Sequence, residues 1–278
     1  MNILEFSLLV WIGSFAAGFL GALTGLGGGV VIVPFLTSVF GVDIRYAIGA
    51  SLVSVIATSS GAASAYIKQG YTNFRLGMFL EVATTMGALL GAAIAAYISI
   101  KALTVVLVIV LLYSAYLAQQ PQSEYDDDEP SDAIATHLNL NSTYPTADGL
   151  VSYQVRSVPL GFVLMILAGT LSGLLGIGSG GLKVLAMDRA MGLPFKVSTT
   201  TSNFMIGVTA AVSAGVYLAR GYIDPGLSMP VMLGVLPGAW LGAKVLVGAK
   251  TQILRIIFSL VLVAMALKMA YNNLIGGF

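Results

Sequence analysis

The chain has 278 residues, of which 57% are hydrophobic and 9% charged, with a mean hydropathy of +0.92 and a net charge of +1. A soluble domain carries roughly 25% charged residues, so composition excludes a soluble globular protein, and near-neutral charge gives no footprint for nucleic acid. There is no cysteine, which removes disulfides, thiolate metal sites and thiol catalysis.

The amino-terminal stretch MNILEFSLLV carries Glu5 and no basic start, so it does not read as a signal peptide. Apolar runs follow near residues 3–23, 46–67, 76–98 and 102–118, then near 158–175, 198–219, 227–247 and 252–270. These lengths suit helices that cross a bilayer. Continuous runs argue against a transmembrane barrel, which is built from short alternating segments. The expected fold is an all-α polytopic membrane protein of about eight transmembrane helices, placed in the cell membrane. Two shorter runs, 30–40 and 182–187, are too short to span alone. Residues 1–118 form a first transmembrane repeat, 119–157 an acidic extramembrane loop, and 158–278 a second repeat.

The two halves align without a gap when Gly18 is set on Gly169, an offset of 151, and about twenty positions then match. Gly25, Gly27 and Gly29 fall on Gly176, Gly178 and Gly180; Ser51 falls on Ser202 and Thr58 on Thr209. YIKQGY (Tyr66 to Tyr71) falls on YLARGY (Tyr217 to Tyr222), and GALLGA (Gly87 to Ala92) on GAWLGA (Gly238 to Ala243). The small residues Gly87, Ala88, Gly91 and Ala92 have the spacing of close helix crossings. If each glycine cluster makes a re-entrant turn, each half has four spans and the repeats run parallel. Eight basic residues then face five across the membrane, and the positive-inside rule puts both termini and the acidic loop outside. If the short runs cross, each half has five spans and the repeats are inverted. The first arrangement is the expectation.

Each half contains an apolar helix, a glycine cluster and a short apolar restart: TGLGGGVVIVP (Thr24 to Pro34) and SGLLGIGSGGLKVLAM (Ser172 to Met187). Broken helices at matching positions mark transporter binding sites near the bilayer midplane. A restarting helix presents unpaired N–H groups and the positive end of its dipole, and glycine admits a ligand close to the backbone. The substrate-binding candidates are Gly25, Gly27, Gly28 and Gly29 in one cradle and Gly176, Gly178, Ser179, Gly180 and Gly181 in the other, facing each other across a small anion. The copies differ where Gly28 meets Ser179, Ile32 meets Lys183 and Leu52 meets Asn203. Lys183, Ser202 and Asn203 therefore complete the candidate site. Glu81 lies inside an apolar span, and such carboxylates are candidates for proton coupling, with a base such as Arg75 as the alternative partner. The run EYDDDE (Glu124 to Glu129) and His137 read as solvated surface, and Asn141 to Thr143 match a glycosylation sequon. No catalytic residue, metal ligand set or cofactor motif stands out.

Three stretches resemble the TauE/SafE family of membrane permeases, linked to sulfite and organosulfonate transport: GFLGALTGLGGGVVIVPFL (Gly18 to Leu36), ASLVSVIATSSGAASAY (Ala50 to Tyr66) and LLGIGSGGLKVLAMDRAMGLPFKVSTTTSNFMIGVTAA (Leu174 to Ala211). The resemblance covers the chain apart from Gln119 to Ser157, an insertion between the repeats. It implies a secondary carrier of small sulfur-containing anions, such as sulfite, thiosulfate or an organosulfonate, coupled to the membrane potential or to protons. An anion channel on the same scaffold and a non-transporting receptor or assembly subunit are the alternatives.

Overall fold

Hydrophobic length dictates most of the architecture. The computed structural model describes residues 2–24, 28–67, 70–119, 131–146, 149–246 and 251–275. In the first half α1 (Ile3–Thr24) is followed by the short α2 (Gly29–Phe40), then α3 (Ile44–Ile67), α4 (Phe74–Ala95) and α5 (Ile100–Gln119). In the second half α7 (Val158–Leu175) is followed by the short α8 (Gly180–Leu185), then α9 (Phe195–Ala219), α10 (Pro225–Leu246) and α11 (Thr251–Ile275). Between the halves lie α6 (Ala133–His137) and a hairpin of β1 (Ser142–Thr146) and β2 (Gly149–Tyr153). Among the described residues, five helices are long and apolar enough to cross a membrane: those at 4–22, 74–95, 100–117, 158–175 and 195–219.

Local chemistry sets the ends of these helices. Gly41 takes a left-handed conformation (φ 66°) and its N–H bonds to the Leu36 carbonyl, closing α2. Gly176 does the same for α7 (φ 66°), bonding to Ser172. Asn73 caps α4 by accepting the Leu76 N–H at 3.1 Å. Residues 186–190 continue α8 as a π-turn, the kind of helix widening found at functional sites.

Paired helices touch backbone to backbone. A Cβ at Gly87 would collide with the Ile166 carbonyl and one at Gly91 with the Thr170 carbonyl, so α4 and α7 run parallel. The same spacing recurs between α10 and α1, where Gly234, Gly238 and Gly242 lie on the backbone of Trp11, Phe15 and Phe19. The contacts correspond at the offset of 151: Gly169 lies on the Thr84 carbonyl and Gly18 on that of Val235. Small residues are what permit this approach in lipid, where packing rather than water exclusion drives association.

Helix direction corrects the expected topology. The short α2 folds back along α1, with Phe35 against Gly13 and the Phe40 ring 5.1 Å from that of Phe6. Likewise Met191, past α8, returns to Gly161 near the start of α7. The short segments therefore reverse the chain. Helices α3 and α9 are antiparallel, with Tyr46 stacked edge-on against Tyr222 and Ser59 beside Gly207. Helices α4 and α9 are parallel, from Gly77 beside Thr201 to the Ala92 carbonyl that accepts from Arg220. It follows that α1 and α7 start at opposite ends of the bundle, which is the five-segment, inverted arrangement rather than the parallel one. Residue 2 and the end of α11 share one end, while residues 131–146 and 149–157 occupy the other. The expectation that the termini and the loop share one side is thereby replaced.

Part of the loop is folded. The hairpin pairs Ser142 with Tyr153, Asp132 accepts the Val158 N–H at 2.9 Å, and Asn73 donates to the Leu140 carbonyl and the Tyr153 hydroxyl. Asn141 of the sequon accepts the Val155 N–H at 2.8 Å. The acidic run Glu124 to Glu129 lies outside the described residues.

Two outcomes test this packing. Gly91→Ala should destabilise the detergent-solubilised protein by about 1–3 kcal/mol in a denaturation assay, because the methyl enters a backbone contact. Because the chain has no native cysteine, single cysteines at Asn2 and Leu150 can be labelled separately in sealed vesicles, and they should react from opposite faces.

Candidate functional site

The two helix breaks meet in the middle of the fold. Gly28 starts α2, its carbonyl accepting the N–H groups of Val31 and Ile32 at 3.1 and 3.2 Å. A Cβ at Gly29 would lie 2.5 Å from Val55 and 3.0 Å from the Gly176 carbonyl. The Ser51 hydroxyl lies 2.7 Å from the Gly176 carbonyl and 3.2 Å from that of Gly29, bridging the breaks. At the matching position Ser202 donates to the Gly180 carbonyl at 3.2 Å. Gly178 holds a positive φ of 73°, with Ile206 and Val55 close around it. Ser179, also left-handed (φ 44°), donates to the Ala168 carbonyl at 2.6 Å. The hydroxyls of Ser179 and Ser202 thus serve the backbone. Among the described residues the two breaks touch at Gly29 and the Gly176 carbonyl.

The open space lies beside the first break. A cavity of about 10 Å³, the room of about one water, is lined by Gly21 and Ala22 of α1, Gly28, Thr58 and Ser59 of α3, and Asn203 and Ile206 of α9. Thr58 and Ser59 donate to the carbonyls of Val55 and Ile56, both at 3.1 Å, which turns their oxygen lone pairs outward. The buried Asn203 amide has no side-chain hydrogen bond among the described residues, so its N–H groups are available to an acceptor. The start of α2 adds the positive end of a helix dipole. Ser179 occupies the corresponding place in the second half, where Gly28 leaves room in the first.

Beside this cavity lies a buried charge pair. Lys183 is 0% exposed and its ammonium donates to the Thr209 hydroxyl at 2.6 Å. The Thr209 oxygen is also 2.8 Å from Glu81 Oε1, and Thr85 reaches the same carboxylate oxygen at 3.4 Å. Among the described residues Glu81 Oε2 has no hydrogen-bond partner. Thr209 accepts from the ammonium, and its one proton lies within reach of both the Glu81 carboxylate and the Met205 carbonyl at 2.9 Å, so that it links ammonium and carboxylate across α8, α9 and α4. Burying either charge alone is expensive; pairing them with hydrogen bonds makes the site tenable.

The sequence candidates thus separate. Gly28 and Asn203 line the cavity. Gly29 and Gly176 meet between the breaks, Gly178 packs on Ile206 and Val55, Ser179 and Ser202 bond the carbonyls of Ala168 and Gly180, and Gly181 lies half-buried in the first turn of α8. Lys183 joins Glu81, which does not pair with Arg75. Gly25 and Gly27 lie outside the described residues. Sequence reasoning missed Thr209 and Thr58 as site residues, although their match across the halves was a signal.

Comparison with known proteins gives a consistent result. The family model described as sulfite exporter TauE/SafE matches residues 10–269. The chain is 28% identical to the probable membrane transporter protein YunE of Bacillus subtilis, over 98% of this chain and 99% of that protein. It is 26% identical to the probable membrane transporter protein YdhB of the same organism, over 85% and 89%, and 26% identical to a probable membrane transporter protein of Xylella fastidiosa, over 96% of each. No solved structure matches.

Thr209→Val keeps the side-chain shape and removes the shared hydroxyl. It should cost about 2–3 kcal/mol of stability, read by denaturation in detergent, whereas Thr209→Ser should stay near the wild-type value.

Proposed function

The chain belongs to the sulfite exporter TauE/SafE family of multi-pass membrane transporters, and from that premise we propose that it is a secondary carrier of a small sulfur-containing anion: sulfite, thiosulfate or an organosulfonate. The observation that carries the reading is the water-sized cavity beside Gly28, where the start of α2 converges with an Asn203 amide that has no partner among the described residues, and which must widen to admit an anion. Hydrogen-bond donors suit an oxyanion, and the carboxylate beside the cavity is matched by the Lys183 ammonium. Anion binding falls to Gly28 and Asn203, with Gly29, Gly176, Gly178 and Gly180 holding the breaks in register. Glu81 serves as the proton-coupling group.

The transmembrane unit in this reading has eight membrane-length helices, the five named above together with α3, α10 and α11. The two short helices supply the reversals. The two halves are copies of one unit in opposite orientation, a reading supported by the matching glycine contacts and by the recurrent Ser51 and Ser202 hydrogen bonds. Inverted copies around a midplane site are the usual basis of alternating access. Arg75, Arg156, Arg189, Lys196, Lys244 and Arg255 lie toward the hairpin's end, against Arg45, Lys101, Arg220 and Lys268 at the other. The positive-inside rule then assigns the hairpin to the cytoplasm and both termini to the outside.

Uptake of labelled sulfite, thiosulfate and taurine into proteoliposomes, with and without a potential or pH gradient, tests the reading. One anion should show saturable, gradient-sensitive uptake. Gly28→Val, whose added atoms enter the cavity from a position with only ordinary contacts, and Asn203→Leu should each lower that uptake at least about tenfold while the protein stays inserted. Unchanged uptake in both variants sinks the assignment of the cavity.

A further inference from the structure

We propose that Glu81, Thr209 and Lys183 form a proton-binding site whose occupancy controls anion affinity, so that the anion and a proton travel in the same direction. The inference rests on the carrier reading and adds the sense of coupling. It also gives Lys183 a role other than that of a fixed anion ligand.

Geometry supplies the argument. Glu81 is 7% exposed, with Oε1 engaged by Thr209 and Thr85 and Oε2 unpartnered. The free oxygen is the place for an added proton, because Oε1 already accepts. Lys183 is wholly buried and its ammonium is held by Thr209. No other ionisable side chain among the described residues reaches the carboxylate. Helix α7, packed along α4, carries none between Val158 and Leu175. On α9, Lys196 lies over the Tyr71 ring at the hairpin end. Arg220, beyond the other end of α9, donates to the Ala92 carbonyl. Arg75 lies in the first turn of α4.

With Glu81 ionised, the pair is neutral. When a hydronium ion breaks one O–H bond to pass its proton to Oε2 and is left as water, the carboxylate charge disappears, Lys183 remains an ammonium, and one positive charge is left uncompensated. Thr209 is one turn along α9 from Ile206 and two from Asn203, both of which line the cavity. That charge therefore acts on the cavity through buried, weakly screening surroundings. Linkage is reciprocal: if the proton favours the anion, the anion favours the proton by the same factor. Release of the proton on the far side restores the neutral pair and weakens the hold on the anion. Only O–H bonds are made and broken.

The test uses the full chain in proteoliposomes with the potential clamped by valinomycin and potassium. Labelled thiosulfate is the probe because it carries no proton of its own in the working range, with labelled taurine as the second probe if thiosulfate is not moved. Two quantities are read: accumulation under an acid-outside gradient, with a trapped pH dye, and anion exchange at equal pH on both sides. Wild type should concentrate the anion up to roughly tenfold per pH unit for one proton per anion, while the lumen acidifies. Glu81→Gln imitates the protonated carboxyl. It should lose accumulation and the dye response, keep exchange, and make exchange independent of pH. Lys183→Met should lose the enhancement of exchange at acid pH. A Glu81→Gln protein that still concentrates the anion, or protons moving against the anion in wild type, overturns the proposal.

Wild-type exchange with no proton coupling overturns the coupling and leaves the carrier reading standing. Failure of wild type to move thiosulfate, taurine or sulfite overturns both. Should Glu81→Gln not fold, infrared difference spectra of wild type at acid and alkaline pH replace it. A protonated-carboxyl band that shifts on adding the transported probe is the expected result, and its absence counts against the site.

Discussion

Hydrocarbon offers no hydrogen bonds, and that single constraint organises this molecule. A helix that stops within a membrane strands its last carbonyls and the next helix's first N–H groups, each at a cost of several kcal/mol if left in lipid. Here the chain stops twice, and the two breaks touch at Gly29 and Gly176. Ser51 joins the carbonyls of Gly29 and Gly176, Ser202 holds the Gly180 carbonyl, and Ser179 holds that of Ala168. Glycine is needed at Gly29 because any Cβ would separate the two breaks.

The same constraint governs charge. Lys183 is too deep to extend to an interface, so its ammonium is satisfied internally by Thr209, and the compensating carboxylate comes from α4. The breaks create room for polar groups, and the polar groups are then obliged to find one another. The cavity at Gly28 and the pair at Glu81 are adjacent for this reason: α9 contributes Asn203 to one and Thr209 to the other.

Much of this was legible in the residues. The apolar run at 158–175 coincides with α7, and both glycine clusters fall at helix boundaries. Lys183 and Glu81 were conspicuous as ionisable groups in apolar surroundings. Their partnership was not legible, because it joins three elements through a threonine whose hydroxyl, on sequence alone, serves equally well bonded to its own helix. The direction of the short helices was hidden too. Twelve residues in α2 fall short of a bilayer, and length alone suggested a turn back toward the same side, whereas the contacts of Phe35 and Met191 show that each segment reverses the chain. The hairpin was obscured by Pro145, which argues against a strand but is tolerated in this two-stranded edge.

The glycine stripes between α1 and α10 and between α4 and α7 have a mechanical consequence. Where backbone lies directly on backbone, no side chains interlock to be repacked, and parting the helices would leave carbonyl-deep furrows with nothing in lipid shaped to fill them. Each pair is therefore a double rod with one stiffness. Between the rods α3 and α9 run in opposite directions, with Ser59 against Gly207 and Gly49 against the Tyr222 carbonyl. If the two halves move relative to one another, each double rod moves as one body.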